Sequence, residues 1–549
     1  MKIALVQTNP LVGDFAAALR AMHHAMERAH AAACRLVIFP ELALCGAPPA
    51  DLLACPAFLA AHDRALQELL TDTRQFPDLS CVVGGLEHRG EAAAMALFNT
   101  AFVLENGSIQ VRAHKRLLLN GDVSNEPRHF TAGSRATIFP CSRFFCALTI
   151  GSELGTILDE KAGRNPVENF TLGAVMPDLL INIAATPYAM GLRQERRRQF
   201  QTICTTCGLP LVHVGQAGGQ GHLVYDGDSL FMDERGTIRA HARDFAADFV
   251  TVDFPERPGA ALELPDDPTE ELVHALCQGL ADFLRKSGFD RVVLGLSGGI
   301  DSALTAALAC RALGPDRVLG VALPSPYTAR ESIDDAKKLA ENLGCAFACM
   351  PIQPAMDAMT ATLAPRCEGL GLPESLTGQN LQARIRGNLL MALANQERRL
   401  LLCTSNKSET AVGYSTLYGD SCGALAVLGD VFKTEVYALA RWLNREREII
   451  PQNTIDRPPT AELKPGQRDE DDLPPYALLD QILRAYVEER QDIADIAARL
   501  RLDPALVQDV ARRIRQSEYK RIQAAPCIRV SRKAFGPGRS MPLINGFAG

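Results

Sequence analysis

The chain has 549 residues, 47% of them hydrophobic and 22% charged, and a net charge of −7. That composition excludes a largely disordered chain and allows two to four domains at roughly 150 residues each. The acidic balance gives no bulk attraction to nucleic acid or to an anionic membrane, no apolar run approaches the roughly eighteen residues that span a bilayer, and sixteen scattered cysteines fit a reducing cytoplasm better than a disulfide framework.

From the N-terminus, MKIALVQTNP has an apolar run too short for a signal peptide. The first half then reads as short strands alternating with helical or loop stretches: IALVQ, RLVIFPE, CVVGGLE, TAFVLE, FCALTI, LLINIAA, LVHVG and SLFMD. Most are continuous apolar runs, as expected of strands covered on both faces. Cys204 and Cys207 form a C-x-x-C in a helical pattern with no second pair at zinc spacing, which reads as chance. The proline-rich acidic run DFPERPGAALELPDDPT breaks the pattern, so residues 1–255 are expected to form one domain, 256–268 a linker and 269–549 a second domain. The second half opens with the helical pattern TEELVHALCQGLADFLRKSG, followed by the strand RVVLGL, a glycine-rich turn and an alanine-rich helix. VLGVALP and LLLCTS are further buried strands. Such alternation predicts a doubly wound parallel sheet.

The strongest local signal is Ser297-Gly298-Gly299-Ile300-Asp301-Ser302, between a strand and a helix. Two glycines let backbone N–H groups approach an anion, the helix N-terminus adds partial positive charge, and Ser297 and Ser302 can donate hydroxyls to phosphate oxygens. No lysine follows the glycines, so this is not a Walker A loop. The bland alternative is a turn in which Asp301 complements the helix dipole.

The sextet resembles the signature of the ATP pyrophosphatase superfamily, whose loop binds pyrophosphate and whose acid binds magnesium. Four further segments occur in order: TSNKSE, then AVGYSTLYGDSCGALAVLGDVFKTEVY, RPPTAELKPGQRDEDDLPPY and SEYKRIQAAPCIRVSRKAFG. Together they resemble the synthetase domain of the two-domain, glutamine-dependent NAD synthetases over about residues 270–540. The resemblance implies an adenine nucleotide alpha hydrolase-like fold, ATP and deamido-NAD as substrates, Mg2+ as cofactor and a homo-oligomer. It places Ser297, Gly298, Gly299, Asp301, Ser302, Thr404 and Lys433 on ATP. It places Arg384, Arg386, Asp420, Thr460 and Lys520 around deamido-NAD and the phosphates, and makes Asp301 and Glu409 the metal ligands. Lys433 and Asp301 are the catalytic pair it implies. The charged KPGQRDEDDLPPY segment is expected to be a mobile lid that excludes water from an acyl-adenylate. Each of these residues also has a duller reading: Arg and Lys are usually solvated, and Asp420 in a YGD turn can simply cap it.

Residues 1–250 resemble the nitrilase superfamily, an α-β-β-α sandwich that serves NAD synthetases as a glutamine amidotransferase. IFPELAL, HKRLLLN, LLINIAATPY and GQAGGQGHLVYDGDS carry the likeness. It aligns Glu41 with the general base and Lys115 with the oxyanion-stabilising lysine. The nucleophilic cysteine of the family's T-I-C-E-D segment aligns with Gly151 in Thr149-Ile150-Gly151-Ser152-Glu153. Gly155, Ala47 and Gly121 also depart from family aromatics. Cys146 lies roughly 16 Å away along an extended strand, and Ser152 should face the other way. The expectation is a vestigial glutaminase, with Glu41 and Lys115 holding each other as an ion pair, and a synthetase that uses free ammonia. The alternatives are a glutamine-dependent enzyme with a non-standard nucleophile and a nucleotide-binding regulatory pseudoenzyme.

Overall fold

Continuous apolar strands need cover on both faces, and a computed structural model of the chain shows how each half supplies it. The structure describes residues 1–90, 96–158, 175–255, 260–367, 375–539 and 541–546. Part of the expected linker, residues 256–259, lies outside them. The chain divides into two compact units, Met1–Asp266 and Asp267–Gly549. No helix among the described residues is long and apolar enough to cross a membrane.

In the first unit the strands of the main sheets are β1 (Lys2–Gln7), β2 (Leu36–Ile38), β3 (Ser80–Arg89), β4 (Ala96–Glu105), β5 (Ser108–His114) and β6 (Thr137–Cys141). They continue with β7 (Phe144–Ile150), β8 (Leu179–Ala184), β9 (Leu211–Gly215), β10 (Leu230–Met232), β11 (Ile238–His241) and β12 (Asp248–Asp253). They form two six-stranded sheets, ordered β12-β1-β2-β3-β4-β5 and β11-β10-β9-β8-β7-β6. Alternate side chains of both sheets share one core: Ile3, Leu5, Leu36, Ile38 and Val82 from the first pack with Leu148, Ile150, Ile181, Val212 and Val214 from the second. The outer face of the first sheet packs on α1 (Phe15–Ala31) and α2 (Pro56–Thr73), and that of the second on α3 (Leu192–Cys207). This is the α-β-β-α sandwich. The sequence reading missed β5, β6, β11 and β12, the four strands at the sheet edges. Those strands are short or alternate between buried and exposed residues, so their apolar runs are weak.

The second unit opens with α4 (Pro268–Ser287), capped by Asp267, whose carboxylate accepts from the N–H groups of Thr269 and Glu270. Its sheet has β13 (Val292–Gly295), β14 (Val318–Ala322), β15 (Ala346–Cys349), β16 (Leu400–Cys403) and β17 (Leu425–Ala426). The order is β15-β14-β13-β16-β17, and every pairing is parallel. The helix α5 (Ile300–Leu313) follows β13 and packs against α4. α6 (Arg330–Leu343) follows β14, and α7 (Leu376–Glu397) covers Val293, Leu319, Val321 and Leu401 of the sheet. The chain leaves β13 toward β14 and β15, then returns to β16 on the other side of β13. The strand order therefore reverses between β13 and β16, and crevices for ligands open at the carboxyl ends of such strands.

Candidate functional site

The two loops that diverge at this reversal are the SGGIDS turn after β13 and the TSNKSE turn after β16. In the first, Gly298 has φ +81°, and a Cβ there would lie 2.4 Å from the carbonyl oxygen of Ser332 at the start of α6. Only glycine fits. The turn is closed on itself: the N–H of Gly299 donates to Ser297 Oγ (3.2 Å), and Ser302 Oγ donates to the carbonyl of Gly299 (2.9 Å). Asp301 does not cap its own helix. Its Oδ1 accepts from Asn406 Nδ2 (3.0 Å) and its Oδ2 from Lys433 Nζ (2.5 Å).

Asn406 caps the short helix α8 (Lys407–Val412) by accepting from the N–H of Glu409 (3.0 Å), which turns Glu409 toward the same lysine. Lys433 begins α9 (Lys433–Leu443) and reaches Glu409 Oε1 at 3.2 Å. Burial works against the Lys433 ammonium, but Asp301 and Glu409 outweigh it and hold its pKa above the usual lysine value. Burial pushes Glu409 up to about 8, opposed by Lys433 and reinforced by Asp301 and Asp469. The result is a cation seated between two carboxylates at the mouth of a glycine-rich turn.

Ser297, Gly298, Gly299, Asp301, Ser302, Thr404, Glu409, Asp420, Lys433, Thr460 and Arg386 all line one cavity of about 280 Å3. Two expected positions do not. Arg384 is exposed and its Nε donates to the carbonyl of Leu417 (3.1 Å). Lys520 spends its ammonium on the carbonyls of Gly413 and Ser415, both at 2.7 Å, which shapes the loop before Asp420 rather than the cavity wall. Asp420 does both things weighed for it: it lines the cavity, and it accepts from the N–H of Thr416 (2.6 Å). Arg386 is anchored by donation to the carbonyl of Leu323 (2.9 Å), and burial pulls it down to about 10.

Sequence reasoning missed several wall residues. Glu462, inside RPPTAEL, accepts from Ser332 Oγ (2.6 Å) and so braces the residue that Gly298 abuts. Arg457 donates to Ser332 and pairs with Asp335. Asp469, read as part of a charged mobile loop, is 5% exposed and points inward. Tyr476 donates to one of its oxygens (2.9 Å), and the Tyr414 hydroxyl also faces the carboxylate. Burial raises its pKa against the opposing pull of Tyr476 and Lys433. A charged residue seven positions before the helix Tyr476–Leu483 gave no periodic signal from which this burial could be read.

The first unit has its own buried charge cluster. Lys115, 2% exposed, donates from Nζ to Glu41 Oε1 (2.8 Å) and to Glu126 Oε1 (2.5 Å). Glu41 also accepts from Asn99 Nδ2 (2.7 Å) and from the N–H of Ala185 (2.9 Å). Burial opposes the lysine charge, but the two carboxylates push Lys115 up to about 12. Gly151 follows β7 directly, with φ +60°. Its carbonyl accepts from Asn182 Nδ2 (3.0 Å), and Asn182 is in turn held by His213 Nδ1, which donates to Asn182 Oδ1 (2.7 Å). A Cβ at position 151 would stand 2.7 Å from Lys115 Nζ and 3.1 Å from Glu41 Oε2. The ion pair expected between Glu41 and Lys115 is therefore present, with Glu126 as a partner the sequence reading did not name. Cys146 lies back along β7, fully buried, with its thiol pushed up by burial.

Both units match known families. Residues 272–524 match NAD synthase and residues 2–258 match carbon-nitrogen hydrolase. The glutamine-dependent NAD(+) synthetase of Synechocystis is 40% identical over 557 residues, covering 99% of both chains. That of Thermotoga maritima is 37% identical, covering 100% of this chain and 99% of the relative. Among solved structures, the glutamine-dependent NAD+ synthetase from Acinetobacter baumannii in complex with ADP superposes with a TM-score of 0.77 at 33% identity, covering 99% of this chain and 98% of that one. A glutamine-dependent NAD(+) synthetase from Cytophaga hutchinsonii, at 21% identity, shares the fold with a TM-score of 0.83 over 99% and 98%. With identity of this degree along the full length of both units, the chain belongs to the glutamine-dependent NAD(+) synthetase family.

Proposed function

We propose that this NAD synthetase amidates deamido-NAD with ATP and free ammonia, and that its carbon-nitrogen hydrolase unit, residues 1–255, is a vestigial glutaminase. The observation that carries the reading is residue 151: where Glu41 and Lys115 converge, the chain supplies a glycine and no side chain at all. Thioester chemistry needs a thiolate within hydrogen-bond reach of its base. The relatives are named glutamine-dependent; the departure assigned here lies in this one position and its neighbours.

In the synthetase unit, residues 269–549, a carboxylate oxygen of the nicotinate attacks the α-phosphorus of ATP. The new O–P bond forms as the α–β bridging bond breaks, and pyrophosphate leaves. Ammonia then attacks the acyl carbon, gives up a proton to solvent and expels AMP. Ser297, Ser302, the Gly298 and Gly299 amides and Thr404 are the triphosphate contacts in this reading. Arg386, Asp420 and Thr460 face the second nucleotide, and Arg384 and Lys520 frame it from outside the cavity wall. Lys433 stabilises charge that develops on the phosphates.

Asp301 and Glu409 suit a hard cation: both present carboxylate oxygens to one point, and the Asp469 carboxylate adds further negative charge beside Glu409. Mg2+ bound there supplies charge neutralisation for the triphosphate. Lys433 occupies the point between these acids and is the group that must turn toward the phosphates as substrate enters.

The test supplies pure enzyme with deamido-NAD, ATP and Mg2+, and either ammonium or glutamine. NAD formation with ammonium and none with glutamine is expected. Rapid glutamine-driven synthesis, with glutamate released in equal amount, would overturn the reading in favour of a displaced nucleophile.

A further inference from the structure

Lys407 sits inside the TSNKSE turn, two residues before Glu409, yet faces away from the cavity and is 0% exposed. A buried ammonium needs several oxygen partners, and Lys407 has four. Its Nζ lies 2.9 Å from Asp430 Oδ1, 2.6 Å from Glu488 Oε1, 2.7 Å from Ser531 Oγ and 2.9 Å from the carbonyl of Lys533. Burial opposes the charge, but Asp430 and Glu488 keep it above the usual lysine range.

These partners come from separate stretches of chain. Asp430 belongs to the turn that delivers Lys433. Its other oxygen accepts from the N–H groups of Val530 (2.8 Å) and Ser531 (2.7 Å), and Ser531 Oγ donates back to Oδ1 (2.8 Å). Just before these residues the C-terminal segment runs beside β17, where the N–H of Ala426 donates to the carbonyl of Pro526 (2.9 Å). Just after them, Phe535 enters the core with Val412 of α8 and Phe432. The turn that carries Glu409 and the turn that carries Lys433 are also tied directly. The N–H of Lys407 donates to the carbonyl of Val431 (2.9 Å), and the N–H of Lys433 donates to Ser408 Oγ (2.9 Å).

We propose that Lys407, with Asp430 and Ser531, is a positioning device: it locks the C-terminal segment 526–535 onto the back of the synthetase site and thereby sets the spacing between Glu409 and Lys433. The inference rests on the assignment of those two residues to the site. Lys407 touches no reacting atom and acts through them. The ammonium joins the two turns to each other and to the C-terminal segment, so its loss leaves only the Lys407 N–H to Val431 and Lys433 N–H to Ser408 hydrogen bonds to hold their spacing, while each turn remains folded. A misplacement near 1 Å is worth on the order of 100-fold in rate.

The test compares Lys407→Met and Ser531→Ala with Glu409→Gln, using AMP formation at saturating substrates, the KM for ATP, the melting temperature and limited proteolysis of the intact chain. The assay runs well below the melting temperature of each variant. Lys407→Met is expected to lower kcat about 100-fold and Ser531→Ala about tenfold. The KM for ATP stays within about threefold, and cleavage appears within the C-terminal segment only. A purely structural lysine would lower the melting temperature and leave kcat of the folded enzyme unchanged. If both variants fold and keep kcat within twofold while Glu409→Gln is inactive, the positioning role is refuted. If Glu409→Gln keeps full activity, the site assignment itself fails. If Lys407→Met does not fold, Ser531→Ala decides the matter by the same criteria.

Discussion

Replacing Gly151 by alanine separates the two units' contributions in one step. At φ +60° an L-residue costs about 1–2 kcal/mol in backbone strain. The new methyl would also stand 2.7 Å from Lys115 Nζ and 3.0 Å from its Cε, inside van der Waals contact. The lysine cannot swing away freely, because Glu41 and Glu126 grip it at 2.8 and 2.5 Å. Overpacking of this kind costs about 1–3 kcal/mol, so the first unit should lose about 2–5 kcal/mol in all. A domain of this size shifts its melting temperature by about 2–4 °C per kcal/mol, which puts the expected drop on the order of 10 °C. Two units need not melt together, so the assay is calorimetry that resolves the lower transition, paired with ammonium-driven AMP release at 20 °C or thereabouts. The transition should fall and the ammonia-dependent kcat should stay within twofold. An unchanged melting profile would refute the packing argument, and a large loss of kcat would refute the claim that position 151 plays no part in ammonia-driven synthesis.

Lys433→Met should lower kcat about 100- to 1,000-fold, the usual cost of deleting one preorganised charge from a reacting centre, measured as AMP formed per active enzyme at saturating ATP. Gly298→Ala forces a Cβ to within 2.4 Å of the Ser332 carbonyl, so the turn must shift; kcat/KM for ATP should fall on the order of 100-fold, and steady-state kinetics over a range of ATP concentrations check it. Burial, helped by Arg196, drives His213 down to about 3 from an ordinary value of 6.5, so the folded state refuses a proton that the unfolded state takes up. Stability is therefore intact above about pH 6.5 and falls toward pH 3, by about 2 kcal/mol between pH 7 and pH 5. His213→Gln should remove that part of the slope in urea unfolding followed across this range, and an identical slope in both proteins would show that His213 does not titrate as its burial implies.

Much of the synthetase site was legible because phosphate loops obey local rules. A strand, two glycines and a helix are contiguous in sequence, and Gly298 is fixed by one backbone contact. Asp301, Glu409 and Lys433 could be brought together only by the likeness to a family, since 108 and 132 residues, counted from Asp301, separate the partners. The inward turn of Asp469 was hidden because a run of four acids reads as solvated, and nothing local distinguishes the one that Tyr476 draws into the core. The role of Lys407 was hidden for a related reason: its partners Asp430, Glu488 and Ser531 lie on three distant segments. In the first unit, buried central strands announced themselves as apolar runs, whereas edge strands such as β11 and β12 carry half-buried polar residues and do not.

The survival of Glu41, Lys115 and Glu126 beside a glycine follows from an asymmetry in the cost of change. On the reading that position 151 once bore the nucleophile, a thiol there contributed little to the fold beyond its own packing, and its loss leaves no charge unpaired. The charged groups are different. Removing either partner of a buried ion pair strands the other and costs about 3–5 kcal/mol. Glu41 is further tied to Asn99 and to the N–H of Ala185, and Glu126 to the N–H of Leu119 (2.7 Å), so each deletion would orphan a donor as well. A marginally stable domain can lose the residue that reacts far more easily than the residues that held it ready. On that same reading the charge cluster persists as part of the core, for stability rather than for catalysis, and Lys115→Met should destabilise the first unit while leaving ammonia-driven synthesis as fast as before.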